Sequence, residues 1–338
     1  MTFRLSLPRA VRSIVTACSL AVASIVVLPA NVLAEPLKIA YSDWPGWSTL
    51  DVAKEKGFFK EAGVEVELVW MEYLPSMEAF AAGKVDAVCM TNGDAMVTGA
   101  TGKPSTCIVL TDYSNGNDKI VAKPGIETFK DLKGKKIALE LNLVEHLMLL
   151  KALEMNGMKE EDVTIVNTPT NDTPQVLASG GVDAIGAWYP LAGQALKQVA
   201  GSKALFSSAD AKGLIYDGIF VSKESLASKR EDWKKVVSAF DKTVKFIKAP
   251  ETKDEAVKIM AARVQVDPAE YGANLEGTYL LTLEENVKHL EKKDSLDSVY
   301  GSSKVADEFN VKNKVYEQSQ EVDAYFDPSL VMELAGKK

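Results

Sequence analysis

Short apolar segments alternate with segments of helical periodicity through most of the chain. The short segments are rich in valine, isoleucine and alanine, and such runs between polar turns are typical of buried strands. Helices between consecutive strands imply right-handed crossovers, and therefore mainly parallel sheets covered on both faces. The segments that predict strands are 37–41, 64–71, 86–90, 106–110, 136–139, 163–167 and 184–187.

One local pattern occurs twice at nearly constant spacing. The segments 82–88 (AGKVDAV) and 179–185 (SGGVDAI) each place a glycine, able to close a helix, before a strand. Asp86 and Asp183 are 97 residues apart, and the Ile-Ala pairs that begin at Ile39 and Ile137 are 98 apart. Chance similarity of so short a word is the alternative, but two matches at almost one offset favour a duplicated unit. The sequence therefore predicts an α/β fold of two matched lobes.

Beyond Tyr216 the chain becomes charged and helical in pattern. Helical periodicity covers residues 225–248, 253–264 and 283–293. This part of the chain is expected to form a helical cap that returns to one of the two lobes.

The N-terminal segment has the pattern of an export signal. Three arginines, the last of them Arg12, precede a mostly apolar run at 13–28, and a small-residue cleavage site follows at 32–34. A run this short favours a cleaved signal peptide over a membrane anchor. Cys18 lies in a box that resembles a lipidation motif, but the long apolar tail after it argues against a lipoprotein. We expect 1–34 to be removed and the remainder to be a soluble, monomeric periplasmic protein.

The exported part of the chain is acidic. Removal of residues 1–34 takes away three arginines and no acid, so the formal net charge changes from −8 to −11. So acidic a chain is a poor partner for nucleic acid. Cys89 and Cys107 remain, both in apolar, strand-like runs. Buried thiols are the simpler interpretation, and a disulfide is the alternative that an oxidising compartment permits.

Candidate binding residues follow the predicted strands. In open α/β sheets, ligands bind beyond the carboxyl ends of strands, where loops and helix N-termini meet. Polar and aromatic side chains occupy these positions throughout the chain, and the repeat offset places Trp188 opposite Thr91. The candidates are Asp43, Trp44, Trp47, Glu72, Tyr73, Ser76, Asn92, Asp94, Glu140, Asn142, Trp188, Tyr189 and Asp217.

Several candidates also have a purely structural interpretation. The acids Asp43 and Asp94 suit helix N-caps, and Glu72 suits a strand end that faces solvent. The tryptophans could cover a sheet instead of a ligand. Glu140 is the most informative acid, because a helix follows it and helix N-termini usually attract anionic ligands.

Three other polar residues near the candidates are expected to be structural. His146, on a predicted helix, suits a packed or capping role better than ligand contact. Asp112 and Asp118 flank a turn-rich Ser-Asn-Gly-Asn stretch, and acids in such stretches usually form turns.

Several motifs resemble one class of transport proteins. The segments 55–64 (EKGFFKEAGV), 82–96 (AGKVDAVCMTNGDAM), 131–136 (DLKGKK) and 218–222 (GIFVS) resemble the nitrate, sulfonate and taurine (NitT/TauT) class of ABC-importer substrate-binding proteins. The similarity covers most of the exported chain. The segments 41–47 (YSDWPGW), 91–95 (TNGDA) and 112–118 (DYSNGND) resemble the branch found in urea-carboxylase gene regions, which is linked to import of urea or guanidine.

This resemblance implies a type II-like periplasmic binding protein. Its two lobes, each a mainly parallel sheet flanked by helices, would be joined by two crossing hinge strands and would close on a small molecule. The first crossing is expected near 113–119 and the return near 216–218. The lobes would comprise 35–116 with 218–338, and 117–217. The implied partners are an ABC permease and its ATPase, with no cofactor and no metal.

The candidate residues predict the charge of the ligand. Sulfonate and nitrate sites need donors and positive charge, whereas these strand exits carry carboxylates and no lysine or arginine. Carboxylates beside aromatic faces favour a small planar cation. Guanidinium offers only N–H donors in a planar fork, so it is the favoured ligand. Urea has the same shape with an acceptor oxygen, and it remains the alternative together with other solutes of the class.

An enzyme is the less favoured function. The chain has two histidines, His146 and His289, and neither lies in an HExxH motif; GxSxG and P-loop motifs are also missing from the sequence. A yeast-type thiamine-pyrimidine synthase shares the general fold of the class, but it needs a cysteine-rich motif that this sequence lacks. A ligand sensor that docks on a membrane receptor is a further alternative to a transporter component.

Overall fold

Two mixed β-sheets flanked by helices make up residues 35–337, the part of the chain that the computed structural model describes. The predicted export signal at 1–34, with Cys18, lies outside the described residues. The strands are β1 Leu37–Tyr41, β2 Val66–Trp70, β3 Ala87–Thr91, β4 Ser105–Ser114, β5 Asp118–Ala122, β6 Lys136–Leu139, β7 Thr164–Asn167, β8 Ala184–Trp188, β9 Lys203–Ser207, β10 Tyr216–Ser222 and β11 Thr278–Leu280.

Helices connect the strands and, as expected, dominate the chain after β10. Short 3₁₀ turns also occur, for example at Phe129–Leu132 and Val322–Tyr325. The α-helices are α1 Pro45–Glu55, α2 Phe58–Ala62, α3 Tyr73–Ala81, α4 Asn92–Ala100, α5 Val144–Met155, α6 Thr173–Ala178, α7 Leu191–Gln198, α8 Lys223–Ser228, α9 Arg230–Lys248, α10 Pro250–Arg263, α11 Pro268–Asn274, α12 Leu283–His289, α13 Val299–Lys312 and α14 Ser329–Leu334.

The two sheets have the same internal arrangement. The first sheet has the strand order β2-β1-β3-β10-β4-β11, and the second has β7-β6-β8-β5-β9. In each sheet the first three strands are parallel, and the fourth strand in the order runs antiparallel to its neighbours. The antiparallel strand is in both cases the one that the chain enters on arriving from the other sheet. The α/β fold of two sheets is confirmed, but the prediction of mainly parallel sheets is wrong: both sheets are mixed, because the strand that arrives from the other sheet runs antiparallel to its neighbours.

The repeat detected in the sequence forms the same local structure in both sheets. Asp86 Oδ2 accepts a hydrogen bond from Lys38 N at 2.9 Å, and Asp183 Oδ2 accepts one from Lys136 N at 2.8 Å. In each pair the lysine carbonyl accepts a bond back from the aspartate N–H. Each repeated aspartate thus ties the start of one strand to the loop before its parallel neighbour.

The chain crosses between the sheets twice. It leaves the first sheet after Ser114 and enters the second at Asp118, and it leaves β9 at Ser207 and re-enters the first sheet at Tyr216. The first connection lies within the expected crossing at 113–119, and the second ends where the expected return at 216–218 begins. The division into lobes of 35–116 with 218–338, and 117–217, stays a prediction.

Both cysteines of the described part are buried free thiols. Cys89 on β3 and Cys107 on β4 are at most 1% exposed. They lie on either side of β10, where the ladder pairs Ile219 with Cys89 and Phe220 with Cys107. Among the described residues, no helix is both long enough and apolar enough to cross a membrane.

The repeated aspartate bond predicts a stability change that can be measured. Asp183→Ala should lower the free energy of unfolding by about 1–2 kcal/mol, because the Lys136 N–H loses a charged acceptor. Asp183→Asn keeps an acceptor oxygen and should lose less. Thermal unfolding of the three proteins tests this, and an unchanged midpoint for Asp183→Ala would show that the bond does not stabilise the second sheet.

Candidate functional site

Three strands of the first sheet bring two acids together at one edge. In the ladder, Asp217 at the start of β10 pairs with Thr91 at the end of β3 and with Asp112 on β4. Because β10 is antiparallel to both neighbours, its first residues lie at the carboxyl ends of β3 and β4. The carboxyl groups of Asp112 and Asp217 interact directly. Both side chains are at most 2% exposed.

The second sheet contributes a second pair of acids. Asp118, the first residue of β5, pairs in the ladder with Trp188 at the end of β8. Glu145 lies in the first turn of α5, and its carboxyl group interacts with that of Asp118. Room for Glu145 comes from Gly186 on β8, where a Cβ atom would lie 3.3 Å from the Glu145 Cβ and 3.4 Å from its Oε2.

A small cavity lies between these elements. The cavity volume is about 10 Å³, which is room for about one water molecule. Drug-sized ligands bind in pockets of roughly 300–1,000 Å³, so this cleft is nearly closed, and even a ligand of a few atoms requires it to widen. No lysine or arginine is among the lining residues of this described cavity, which are Trp44, Trp47, Tyr73, Thr91, Asp118, Val144, Trp188, Ile215 and Asp217.

Aromatic rings form much of the cavity wall. Trp47 stacks on Tyr73 with ring centroids 5.4 Å apart, and Trp188 meets Tyr73 edge-on at 5.3 Å. Trp44 meets Trp47 edge-on at 6.4 Å. The contact between Tyr73 and Trp188 joins a helix beside the first sheet to a strand of the second. The cavity is therefore closed by residues from both sheets.

The remaining polar wall is organised around Asp94, near the start of α4. Tyr73 donates its hydroxyl hydrogen to Asp94 Oδ2 at 2.7 Å, and the Asp94 N–H donates to Thr91 Oγ1 at 3.1 Å. The N–H of Val144, at the start of α5, also stabilises the Asp94 carboxylate. The N-cap of α4 is therefore Thr91, and the prediction that Asp94 caps the helix is wrong: Asp94 lies in the first turn, where its carboxylate also interacts with the N-terminus of a helix from the second half of the structure.

Several polar atoms around the cavity lack a hydrogen-bond partner within the described chain. Buried polar atoms almost always have a partner, so a cluster of exceptions needs an explanation. Carboxylate oxygens predominate, and two indole N–H groups are also unpaired. The atoms are Asp118 Oδ2, Glu145 Oε1, Glu145 Oε2, Asp217 Oδ2, Trp47 Nε1 and Trp188 Nε1.

Burial makes these acids unusually weak. Loss of solvation raises the pKa of Asp94 to about 7, although hydrogen bonds from Tyr73 and Thr91 oppose the change. Burial likewise raises the pKa of Asp112 to about 7, against hydrogen bonds from Thr111 and Trp44. For Asp217, burial and the charge of Asp112 raise the pKa well above its usual range. Burial and the charge of Asp118 do the same for the pKa of Glu145.

Six of the candidates from the sequence meet at this cavity or on its wall. Five line the cavity, and Asp94 lies directly behind Tyr73 through their hydrogen bond. The six are Trp44, Trp47, Tyr73, Asp94, Trp188 and Asp217.

Four candidates lie outside the cavity wall and make contacts of their own. Asp43 accepts a bond from the Trp70 indole at 2.7 Å, and Ser76 donates to the Tyr73 carbonyl. Glu72 is exposed at the N-cap of α3, as its structural interpretation predicts. Glu140 accepts a bond from Thr170 at 2.8 Å and is 8% exposed.

The last three candidates have mixed surroundings. Asn92 has a structural role, because its side chain joins three segments. Its amide group donates to Ser302 and Ser303, and its oxygen accepts from the Tyr216 N–H. The Asn142 N–H donates to His146 Nδ1, which caps the loop as expected for that histidine. The buried Tyr189 packs edge-on against Tyr271 at 5.7 Å, and its hydroxyl has no partner in the described chain. These residues shape the cleft without lining the cavity.

The prediction that Asp112 and Asp118 form turns is wrong. Both lie within strands and are at most 3% exposed. Asp112 Oδ1 accepts a bond from the Trp44 indole at 2.9 Å, and its Oδ2 accepts one from Thr111 at 2.8 Å. Glu145 was missed as a candidate as well. One signal in the sequence could have identified these acids. Asp112 and Asp118 lie on either side of the predicted crossing, where the two sheets meet, and a residue in a turn-like stretch can be buried there.

Comparisons with known proteins place the chain in a family. The family model described as NMT1/THI5 like matches residues 44–253. This chain belongs to the NMT1/THI5-like family. A protein of Brucella abortus (strain 2308) named "Putative binding protein" is 29% identical over 77% of this chain and 82% of its own length. The taurine-binding periplasmic protein of Escherichia coli (strain K12) is 28% identical over 46% of each chain.

A solved structure supports the fold of this NMT1/THI5-like protein. The alkanesulfonate-binding protein of Xanthomonas axonopodis pv. citri, bound to MOPS, superimposes with a TM-score of 0.71. The match covers 87% of this chain and 98% of the other, at 17% identity. At that identity the comparison establishes the two-sheet fold, and the chemistry of the cavity must be argued from this chain's own residues.

The packing of Asp112 against helix α1 provides a test of this geometry. A Cβ at Gly46 would lie 1.7 Å from Asp112 Oδ2, so Gly46→Ala must displace the carboxylate and its bond to Trp44. We expect a loss of about 1–3 kcal/mol in the free energy of unfolding, although alanine ordinarily favours a helix.

Gly272→Ala is the matched control, since it lies in a helix where the new Cβ meets Val257 at an ordinary 3.4 Å. Thermal unfolding and tryptophan fluorescence would compare the two variants. Equal or greater stability of Gly46→Ala than of Gly272→Ala would contradict the described position of Asp112.

Proposed function

We propose that this protein is the periplasmic solute-binding component of an ABC importer and that it captures guanidinium. Two lobes would close around the cation and present it to a membrane permease driven by its ATPase. Support for the transport role comes from the family and from relatives that carry the names of binding proteins. The choice of ligand rests on the cavity.

The observation that carries the ligand proposal is the set of unpaired carboxylate oxygens. Asp118, Glu145 and Asp217 are at most 3% exposed, and together they leave four buried oxygens without a donor. Burying a carboxylate without a partner is costly, and a charged partner is the usual remedy. The described lining residues supply no cation of their own, so the ligand is the natural source of the positive charge and of the missing N–H donors.

The size and the lining of the cavity favour a small planar cation as the ligand. The aromatic residues Trp47, Tyr73 and Trp188 line it, and a desolvated cation over an aromatic face gains about 0.5–2 kcal/mol. Among the described residues no cluster suits a metal ion. Guanidinium carries only donors in one plane and can give two parallel hydrogen bonds to a single carboxylate, which suits several acids around a narrow space.

Urea is the second candidate, and a specific observation favours it. The indole N–H groups of Trp47 and Trp188 lack acceptors, and the oxygen of urea could accept from them. Guanidinium is preferred because a neutral ligand would leave the buried carboxyl groups without a counter-charge. Nitrate and sulfonate are disfavoured more strongly, since two like charges about 4 Å apart repel by roughly 4 kcal/mol at an effective dielectric near 20.

Other roles are less well supported. A thiamine-pyrimidine-synthase-like enzyme would need reactive side chains at the cavity, and the nearest thiols, Cys89 and Cys107, are buried in the first sheet with pKa values raised by loss of solvation. A sensor that presents the same closed lobes to a receptor would bind the same ligand. Gene neighbours that encode a permease and an ATPase would distinguish the transporter from the sensor.

A ligand panel tests the proposed function directly. Millimolar guanidinium should raise the unfolding temperature of the protein lacking residues 1–34, since ligand at about 100 times Kd adds roughly 2.7 kcal/mol. Methylguanidine should act more weakly because the cavity is small, and sodium nitrate and taurine should have no effect. Sodium chloride at equal concentration is the salt control. Stabilisation by nitrate or taurine without any by guanidinium would refute the proposal.

Replacement of one cavity acid tests its charge. Asp217→Asn keeps the size of the side chain and removes the carboxyl group that would ionise beside the bound cation, so guanidinium affinity should fall by about 30-fold or more, on the order of 2–5 kcal/mol. Glu140→Gln should have a smaller effect, because Glu140 bonds to Thr170 and does not line the cavity.

Glu67→Gln is the control for both variants, since that side chain is 52% exposed on β2. Calorimetric titration of the folded variants provides the affinities. An Asp217→Asn protein that binds guanidinium within about threefold of wild type, a difference below 1 kcal/mol, would remove Asp217 from the site.

A further inference from the structure

The carboxyl groups of Asp118 and Glu145 form a buried acid pair on the second-sheet side of the cavity, in which Asp118 lines the wall and Glu145 interacts with Asp118 without lining it. Asp118 lines the cavity and is 3% exposed, and Glu145 is fully buried beside it. Neither oxygen of Glu145 accepts a hydrogen bond from an N–H or O–H group of the described chain, and Asp118 Oδ2 accepts none. Two adjacent carboxylates cannot both ionise cheaply in such a place, so one proton between them satisfies both.

The charged surroundings of the pair also favour retention of that proton. Lys119 on β5 is the cation that acts on both acids, and its ammonium group is already bonded to the Gly116 carbonyl. Acids surround the pair on several elements. Asp94 on α4 and Glu140 after β6 raise the pKa of Glu145, and the charge of Asp118 in turn raises the pKa values of Asp112 on β4 and Asp217 on β10.

We propose that the Asp118–Glu145 pair shares a proton in the empty cleft and that the arriving guanidinium replaces it. This inference rests on the proposed function. The exchange balances in charge and atoms: the pair, as one carboxylic acid and one carboxylate, loses a proton to the solvent and becomes two carboxylates, of which Asp118 accepts N–H hydrogens of the cation and Glu145 acts on the cation through its charge. The pair then acts as a charge filter, since a neutral ligand cannot displace the proton.

The exchange determines how binding depends on pH. Guanidinium keeps its charge throughout the neutral range, like the guanidinium group of arginine, so only the protein titrates. Burial holds the pKa of Glu145 well above its usual range in the empty protein, and a bound cation lowers it. Below the raised pKa the proton competes with the ligand. Affinity should therefore increase with pH, by up to tenfold per pH unit for each proton released.

Calorimetry of the full exported chain, in buffers of different ionisation enthalpy, measures the proton directly. Titration with guanidinium chloride near pH 6–7 should show release of about one proton per cation from this pair, with tighter binding at pH 8 than at pH 6. In Glu145→Gln the number of protons released should fall by about one, and the pH dependence of affinity should weaken accordingly. Loss of packing alone would weaken binding without changing this number.

Glu154→Gln is the matched control, because Glu154 lies on the same helix and its side chain is 72% exposed. It should release as many protons as wild type. Guanidinium binding with no proton release between pH 5.5 and 8 would overturn the exchange and leave the proposed function intact. Proton release that is unchanged in Glu145→Gln would assign the proton to another acid and overturn the role of the pair. Failure of guanidinium to bind at any pH would overturn the proposed function itself.

Discussion

The burial of several carboxyl groups in one nearly closed cleft is the constraint on which the rest of this site depends. Removing an acid from water strongly favours its neutral form, and a neighbouring acid adds to the effect. The protein supports some of these groups with its own donors. Asp112 receives bonds from Trp44 and Thr111, and Asp94 receives one from Tyr73. Within the described chain, Asp217, Asp118 and Glu145 have buried oxygens without such donors, and in the proposed function the cation compensates for this deficit.

The backbone is arranged to make this burial possible. Glycine at position 46 leaves room for Asp112, and glycine at position 186 leaves room for Glu145. Both glycines lie at close approaches where a methyl group would meet an acid side chain. The antiparallel strand of each sheet begins at the cavity, so each crossing places an acid there, Asp118 on β5 and Asp217 on β10. Each sheet of the duplicated architecture therefore contributes one acid to the cavity wall through its antiparallel strand.

Because the acids come from both sheets, the charge of the cavity wall affects how readily the two sheets close on each other. Ionised carboxylates on opposite walls repel each other across a cleft of low dielectric, and a cation between them removes that repulsion. Within the proposed function, the closed form is thus favoured by the ligand that neutralises the walls. An alkanesulfonate-binding protein shares the two-sheet fold, so within the proposed function the fold supplies the cleft and the side chains choose the ion.

Local pattern was sufficient to predict the architecture. The strands β1 to β4 and β6 to β8, the repeated Val-Asp-Ala unit and the helical C-terminal part follow from hydrophobic periodicity and turn chemistry, which act over a few residues. The strands β9 and β11 were not predicted, and β5 and β10 were expected only as crossings implied by the family resemblance. Aromatic and acidic residues at strand ends were also predictable, because parallel strands end at one edge; Trp44, Trp47, Tyr73, Trp188 and Asp217 line the cavity.

The identity of the remaining acids depended on contacts between distant segments. Asp112 and Asp118 lie in a stretch whose composition suggests an exposed turn, and Glu145 reads as an ordinary residue of a helix start. Their burial arises because β4, β5, β10 and α5 converge where the two sheets meet. Burial at such a junction is a property of the assembled sheets, and no pattern within a single segment encodes which side chain will lose its water. The sequence by itself determined the sheets and the edge that carries the site, and only the tertiary structure decided which carboxyl groups are desolvated there.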